Sequence, residues 1–341
     1  MSGVRNSADS WLNAIWYGGA PPPWWLKPLS AVYGAVALAR RFAYAKGLAR
    51  STRLACPVIV VGNLTVGGTG KTPLVCWLAE QLTEQGFRPG VVTRGYGGSS
   101  RAARLVRAAD RADVVGDEAV LLALRSRAPV AIGRARPRAA QLLINAGCNV
   151  ILSDDGLQHH ALARDCEIIV VDGDRRFGNG RLLPAGPLRE AAARINGVDA
   201  VVINGGPVAA PGGDGLRMRL LATNAIAMKY GTARPLREFC GTPVHALAAI
   251  GNPQRFFAML RGVGLSIIEH PLPDHAQLTV DDISFADEFP VLMTEKDAVK
   301  CAQISGPSHW RVPVSVAFAA GDAEKLRGTV ARSMQQSAAR A

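Results

Sequence analysis

A glycine-rich segment followed by lysine and threonine is the part of this sequence best suited to chemistry. Residues 62–73 read Gly-Asn-Leu-Thr-Val-Gly-Gly-Thr-Gly-Lys-Thr-Pro and follow an apolar, β-branched run at 58–61. Glycines let backbone N–H groups curl around an anion, and a helix that begins there adds partial positive charge. In such a loop Lys71 can reach the β- and γ-phosphates of ATP, and the Thr72 hydroxyl can bind Mg²⁺.

The strict pattern of a phosphate-binding loop (P-loop) has glycine where this chain has Thr65. Gly67 and Gly68 lie inside the loop instead, as in variant P-loops. An ordinary glycine-rich turn is the alternative, but the preceding strand, the Gly-Lys-Thr triplet and Pro73 at a helix start favour the P-loop. The residues predicted to hold the phosphates are Thr65, Val66, Gly67, Gly68, Thr69, Gly70, Lys71 and Thr72.

A second apolar run ends in two acids. Residues 149–155 read Asn-Val-Ile-Leu-Ser-Asp-Asp, which is the form of a Walker B segment. A carboxylate at such a strand end orders Mg²⁺ or its waters, although it often only caps the next turn. With a P-loop upstream, the sequence predicts a magnesium site formed by Thr72, Asp154 and Asp155.

Other polar residues follow these segments. Gln158 and His159 come soon after the two acids, and one of the adjacent histidines is expected to face the cleft. The loop at 174–190 is rich in Gly, Pro and Arg, and its Arg176 and Arg189 suit bidentate phosphate binding, unless the loop is simply a solvated basic one. By spacing alone, Asp117 is no more than a helix N-cap.

These residues need a scaffold, and the hydrophobic pattern predicts one. Short apolar strands alternate with helical stretches from 54 to about 206, which indicates an α/β fold with a doubly wound, mostly parallel sheet. A Gly/Pro-rich loop at 205–215 precedes a second unit, in which Val312–Phe318 reads as one strand and a terminal helix begins near Glu324. The predicted organisation is an N-terminal segment at 1–50, a P-loop core at 51–215 and a smaller α/β C-terminal domain at 216–341.

The first residues of the chain are both basic and aromatic. The protein has 341 residues and a net charge of +12, and residues 1–53 hold seven Lys or Arg residues against one acid, together with four of the six tryptophans. Trp, Tyr and an Arg pair suit an anionic membrane surface, so a membrane-associating helical segment is expected. The alternative is a helix packed on the protein's own core.

Taken together, the motifs resemble the tetraacyldisaccharide 4′-kinase (lipid A 4′-kinase) family. The resemblance rests on the P-loop, on Gly116-Asp117-Glu118, on 153–159 and on 172–190, and it is completed by three short motifs. These are Thr93-Arg94-Gly95-Tyr96-Gly97, Pro273-Asp274-His275 and Thr294-Glu295-Lys296-Asp297. Two departures, Ala119 where the family often has Pro and Ala276 where it often has His, remove no catalytic group.

The resemblance implies ATP- and Mg²⁺-dependent phosphorylation of the 4′-hydroxyl of a tetraacylated glucosamine disaccharide 1-phosphate. It implies that Asp117 is the general base, that His275 is oriented against it, and that Lys71 completes the catalytic set. Arg94, Gln158, His159, Arg176 and Arg189 are the expected substrate-binding residues. The expected location is the cytoplasmic face of the bacterial inner membrane, held peripherally or by the N-terminus.

Three other functions are compatible with parts of the sequence. A variant P-loop ATPase of the regulatory or partitioning class would hydrolyse ATP under the control of a protein or DNA partner, but it gives no reason for the Trp-rich start. A GTPase would need a guanine-specifying motif, and Thr294-Glu295-Lys296-Asp297 has the wrong spacing. Charge alone suggests nucleic-acid binding, yet the basic residues lie among apolar aromatics rather than along a reading helix. No nucleic-acid partner and no obligate protein partner is therefore predicted.

Overall fold

Two sheets organise the protein. The computed structural model describes residues 11–107, 109–206, 215–274 and 276–339, so the predicted catalytic His275 lies outside the described residues. Within these ranges the larger sheet has nine strands in the order β15-β8-β7-β6-β1-β5-β2-β4-β3, and only the β15–β8 and β3–β4 pairs are antiparallel. Its strands are β1 Val58–Gly62, β2 Pro89–Thr93, β3 Arg104–Leu105, β4 Val130–Ile132, β5 Val150–Asp154, β6 Cys166–Asp172, β7 Ala200–Asn204, β8 Leu216–Leu221 and β15 Ser315–Phe318.

Both faces of the larger sheet are buried, which is why its strands read as continuous apolar runs. Along β1, Ile59 and Val61 join one core with Leu74 and Leu78, while Val58 and Val60 join a second core on the other face. The helices that flank this sheet are α3 Lys71–Glu84, α4 Ala112–Val115, α5 Asp117–Arg125, α6 Arg136–Asn145 and α10 Asp322–Ala338. The predicted doubly wound, mostly parallel α/β fold is confirmed.

The smaller sheet follows in the chain. It has six strands in the order β10-β9-β14-β13-β11-β12, with β9 antiparallel to both of its neighbours. Phe257 and Leu260 pack on one face and Ile283 and Cys301 on the other. Its elements are β9 Asn224–Ala227, β10 Ala233–Pro235, β11 Val244–Ala248, α7 Pro253–Gly262, β12 Ile267–Pro271, α8 Val280–Ile283, β13 Val291–Thr294, α9 Glu295–Lys300 and β14 His309–Val312.

The chain returns to the larger sheet at its end, and this corrects two predictions. The run at 312–318 is not one strand, because β14 ends at Val312 in the smaller sheet and β15 begins at Ser315 in the larger one. The strand at 216–221 and the last helix also pack with the larger sheet, since Leu326 and Val330 of α10 lie in its core. Residues 216–341 therefore do not form one separate unit: the smaller sheet takes only 224–312.

The described part of the N-terminal segment, residues 11–50, forms two helices, α1 at residues 11–17 and α2 at Leu26–Ala45. One side of this segment packs on the loop at 178–189. Ser30 Oγ donates to Leu182 O at 2.8 Å, and Trp16 Nε1 donates to Pro184 O at 3.1 Å. The other side of α2 is apolar and exposed, and includes Leu29, Val32, Val36 and Phe42. Among the described residues, no helix is both long and apolar enough to cross a bilayer.

Candidate active site

The carboxyl ends of the parallel strands bring most of the predicted site residues to one edge of the larger sheet. Because β1 and β5 are neighbours in parallel register, with Val61 beside Asp154, the P-loop lies against the acids that end β5. A cavity of about 960 Å³ opens at this edge, lined by P-loop residues 66–72 and, from the smaller unit, by residues 250–252. Such an edge is where open α/β sheets bind ligands.

Two asparagine side chains fix the backbone of the P-loop. Asn63 Nδ2 donates to Gly67 O at 3.2 Å, and Asn204 Nδ2 donates to Thr69 O at 2.9 Å. Gly70 has a φ of 94°, and a Cβ there would lie 2.5 Å from Asn204 Nδ2, so glycine is required. Because these donors engage carbonyl oxygens of the loop, its N–H groups can be directed toward a bound anion.

The residues predicted to bind magnesium do come together. Thr72 Oγ1 donates to Asp154 Oδ2 at 3.0 Å, and Lys71 Nζ lies 3.5 Å from Asp155 Oδ1. Burial raises the pKa of Asp154 to about 7, with Glu118 adding to the rise. Burial also favours the neutral form of Asp155, but Lys71 and Arg189 outweigh it and hold the pKa of Asp155 far below its usual range.

The donor set fits a magnesium ion. Asp154 is buried, and its Oδ1 has no hydrogen-bond partner within the described part of the chain. Mg²⁺ takes hard oxygen ligands, and it is usually bound by one or two carboxylates with phosphate oxygens and water. Within the described ranges no three His, Cys, Asp or Glu side chains form a metal cluster, so the remaining ligands would have to come from phosphate and water.

Arg189, predicted to bind substrate, also braces this corner of the site. Its guanidinium contacts both carboxylate oxygens of Asp155, at 3.1 and 3.2 Å. It donates to Asn63 Oδ1 at 2.5 Å and to Gln158 Oε1 at 3.1 Å. One side chain therefore joins the P-loop, the acid that follows β5 and the loop after β6, and a substrate role for Arg189 stays a prediction.

The other predicted substrate-binding residues differ in whether they line the cavity. Arg94, Gln158 and His159 line the cavity. Burial lowers the pKa of His159 to about 4, with Arg136 adding to the effect, so this ring is neutral near pH 7. Arg176 is not among the described residues that line the cavity; its backbone N–H donates to Asp172 O at 2.7 Å.

Asp117 begins α5 and is buried. Its Oδ1 accepts a hydrogen bond from the backbone N–H of Glu118 at 2.8 Å, and its Oδ2 lies 3.9 Å from Lys296 Nζ. Glu118 and Lys296 line the cavity and connect Asp117 to it, as does Asp274, which lies 3.2 Å from Lys296. Gly116 is the N-cap of α5, so the N-cap interpretation of Asp117 is wrong, and its bond to the Glu118 N–H lies inside the first turn. The contact from the smaller unit gives this carboxylate a second, non-local environment.

Arg136 is a site residue that the sequence analysis missed. It begins α6 and is only 3% exposed, with Nη1 donating to Gly133 O at 3.1 Å and Nη2 to Asp154 O at 3.4 Å. Burial lowers the pKa of Arg136 to about 10, although Asp155 opposes the effect. Since it lines the cavity, this cation adds positive potential beside the two acids. Its position directly after a strand at the ligand-binding edge was the available signal.

A second missed cluster ties the P-loop to the smaller unit. Arg175 donates to Asp172 Oδ2 at 3.1 Å, to Gly68 O at 3.1 Å and to Gly251 O at 2.8 Å. Arg255, from α7, pairs with Asp172 Oδ1 at 2.6 Å. The sequence indicated the arginine-rich loop at 174–190 and the motif at 172–190, but nothing in the pattern linked either one to α7.

Comparison with known proteins agrees with this geometry. The family model described as tetraacyldisaccharide-1-P 4′-kinase matches residues 22–335. The chain belongs to the tetraacyldisaccharide-1-P 4′-kinase family. A tetraacyldisaccharide 4′-kinase of Nitrosococcus oceani is 50% identical over 307 residues, covering 89% of this chain and 90% of that protein. One from Methylobacillus flagellatus is 46% identical over 336 residues, covering 98% and 99%.

A solved structure is similar as well. The crystal structure of LpxK from Aquifex aeolicus, described as an apo form in complex with ATP, aligns with a TM-score of 0.75 at 28% identity. The alignment covers 90% of this chain and 98% of that one. The predicted family, its kinase activity and the P-loop fold are thus confirmed for this 4′-kinase family member, whereas the roles of individual site residues stay predictions.

Proposed function

We propose that this chain transfers the γ-phosphate of ATP to the 4′-hydroxyl of a tetraacylated glucosamine disaccharide 1-phosphate, yielding a bisphosphorylated lipid A precursor, lipid IVA. The observation that carries the proposal is the convergence of Lys71, Thr72 and Asp155 in one cavity, with the buried Asp154 hydrogen-bonded to Thr72. Family membership over most of the chain supplies the acceptor, because a P-loop by itself is shared by many reactions.

The ATP phosphates occupy the P-loop, where backbone N–H groups of 66–71 and the start of α3 receive the anion. Lys71 exchanges its contact with Asp155 for contacts with the β- and γ-phosphates. Thr72 and Asp154 would hold Mg²⁺, with Asp155 beside them. When bound, this ion neutralises charge on the β- and γ-phosphate oxygens. Arg189 keeps Asp155 in place through its two-point contact.

Transfer then needs a base on the acceptor. The 4′-hydroxyl oxygen forms a bond to the γ-phosphorus, the bond between that phosphorus and the β–γ bridging oxygen breaks, and ADP leaves. The hydroxyl proton passes to the carboxylate of Asp117, which His275 orients and assists. Asp117 is buried beside the cavity wall, which supports this role. A carboxylate that is shielded from bulk water accepts a proton from the reacting group rather than from solvent.

The acceptor is a lipid, and the N-terminal segment suits one. Residues 29, 32, 36 and 42 give α2 an exposed apolar side, and Lys27, Arg41 and Lys46 add positive charge near it. Arg40 of the same helix lines the cavity. We place the enzyme on the cytoplasmic face of the inner membrane, with α2 lying in the interface so that the sugar head group reaches the cavity while the acyl chains stay near lipid.

Incubation of the purified full chain with γ-labelled ATP and a panel of acylated disaccharide phosphates tests the function. The expected result is label transfer to the disaccharide 1-phosphate, dependent on Mg²⁺ and blocked when the 4′-position already carries phosphate. ATP hydrolysis without transfer to any lipid, stimulated instead by DNA, would replace this proposal with the regulatory ATPase reading.

A further inference from the structure

One lysine of the smaller unit reaches the carboxylates that begin α5 in the larger unit. Lys296 lies in the first turn of α9, and its Nζ is 3.2 Å from Asp274 Oδ1, 3.5 Å from Glu118 Oε1 and 3.9 Å from Asp117 Oδ2. These three acids come from two different parts of the chain, so the ammonium group joins the smaller unit to the larger one beside the cavity.

The environment keeps this lysine charged. Its side chain is only 16% exposed. Burial by itself lowers the pKa of Lys296, but Glu118, Asp274 and Asp117 together outweigh burial and raise it above its usual range. A cation that is surrounded in this way by carboxylates is poorly placed to bind a substrate phosphate, because the acids already take up its charge. Its action is therefore on the carboxylates themselves.

Lys300 is a second cation near Asp117. Lys300 Nζ is 4.0 Å from Asp117 Oδ2, but it is held closer by Asp297 Oδ1 at 2.9 Å and by Ala249 O at 3.2 Å. Glu118 and Asp274 are acids and disfavour the ionised form of Asp117. His275 lies outside the described residues. Lys296 is thus the cation from α9 that faces this acidic group most directly.

Helix α9 also contacts α5 through a residue of opposite charge to Lys296. Glu295, the residue before Lys296, accepts from Arg125 Nη1 at 2.6 Å at the far end of α5 and from Arg311 Nη1 at 3.1 Å. Glu295 and Lys296 therefore bind the two ends of α5. These two contacts together fix the position of the Lys296 ammonium group.

We infer that Lys296 is a positioning residue of the phosphoryl transfer, which keeps Asp117 ionised and makes its readiness as a base depend on docking of the smaller unit. The inference rests on the proposed function and adds a residue to it. An opposite charge at this distance favours the carboxylate form, and without it the two neighbouring acids favour the protonated form.

The test compares full-length wild type with Lys296→Met and Lys296→Arg, and uses the exposed Lys325→Met on α10 as the control. The measurements are kcat and the KM for ATP from pH 5.5 to 9, with γ-labelled ATP and the acylated disaccharide 1-phosphate, and the melting temperature of each variant. For Lys296→Met we expect the acidic limb of the kcat profile to move up by roughly one pH unit, the lower end of the range for such a contact, since Lys300 remains.

At pH values below the limb this shift lowers kcat by up to about tenfold, with recovery to the wild-type plateau above the limb and a KM for ATP within about twofold of wild type. Lys296→Arg keeps the charge and should retain the wild-type limb. A loss in Lys296→Met that is equal at every pH, or no loss at all, overturns the inference while the proposed function stands. If Lys296→Met does not fold, Lys296→Arg decides, because a displaced acidic limb despite the retained charge overturns the inference as well. A wild type that transfers no label refutes the function and the inference together.

Discussion

The hydroxyl of Thr72 donates a hydrogen bond to Oδ2 of Asp154 at 3.0 Å, which joins the first turn of α3 to the end of β5. The parallel pairing of β1 with β5 creates this contact, since Val61, at the end of the strand before the P-loop, is in register with Asp154. The two residues are 82 positions apart in the chain. Their bond leaves the buried Oδ1 of Asp154 without a hydrogen-bond partner in the described chain, so this oxygen is available as a ligand for a magnesium ion.

Replacement of this hydroxyl should weaken the magnesium site. For Thr72→Val we expect kcat to fall by about tenfold or more at limiting Mg²⁺, with partial recovery as Mg²⁺ is raised, because an oxygen ligand is lost while the shape of the side chain is kept. Thr83→Val, in the last turn of the same helix, is the control and should behave as wild type. A Thr72→Val enzyme with an unchanged Mg²⁺ requirement would argue against this ligand.

Lys71→Met should abolish measurable transfer without unfolding the protein. The aliphatic stem is kept, so the loss reports the missing charge on the β- and γ-phosphates. Asp155 keeps its contact with Arg189 in this variant, which limits the effect on the melting temperature. Lys229→Met, on an exposed turn, serves as the control, and near-wild-type turnover in Lys71→Met would remove the P-loop assignment.

The substitution Asp117→Asn distinguishes a general base from a residue with only a local role at the start of α5. The amide oxygen of asparagine can accept the same first-turn hydrogen bond from the Glu118 N–H, so a purely local role predicts little change. As the general base, Asp117 cannot be replaced by an amide, and kcat should fall roughly 10²–10⁴-fold with little change in ATP affinity. The measurement is single-turnover transfer alongside nucleotide binding, with the exposed Asp113→Asn as the matched control. Full activity would refute the mechanism and leave the ATP site intact.

Stability should depend on pH through His160. Burial lowers the pKa of His160 from 6.5 to about 4, with Arg164 adding to the effect. The unfolded chain therefore binds more protons than the folded one between these values, so this contribution is fully present above pH 6.5 and is lost as pH falls toward 4. Urea unfolding of His160→Gln at several pH values should show a shallower decline than wild type across that window. Identical slopes would show that other groups dominate acid unfolding.

Membrane binding is best tested on the exposed side of α2. Deletion of the segment would also remove the contacts from Ser30 and Tyr33 to the loop at 178–189, which would confound the result. Val32→Glu combined with Val36→Glu leaves those contacts in place and should reduce binding to anionic vesicles by about tenfold or more. Val280→Glu, an exposed valine on α8, is the control. Equal vesicle binding by all three proteins would favour a purely structural role for α2.

The sequence determined much of the scaffold on its own, because the determinants are local. β-branched apolar runs bury both faces of a parallel sheet. The apolar run at 58–61 lies within one residue of the observed β1, and the segment at 149–155 contains β5. The P-loop was legible for the same reason: left-handed glycines and a helix start are properties of neighbouring residues. The two acids after β5 could be assigned to the same edge since parallel strands end together.

Contacts between distant segments were decided only by the tertiary structure. Pro313 separates two strands that belong to different sheets, and the hydrophobic pattern at 312–318 is the same in either sheet. Arg189 was predicted to bind substrate, yet its bonds reach Asn63, 126 residues away, and Asp155. No local sequence pattern predicts the contacts of Arg136 or Lys296. Periodicity determines which face of an element a side chain occupies. Its charge partners depend on how the two sheets pack together, and no local sequence pattern reports that packing.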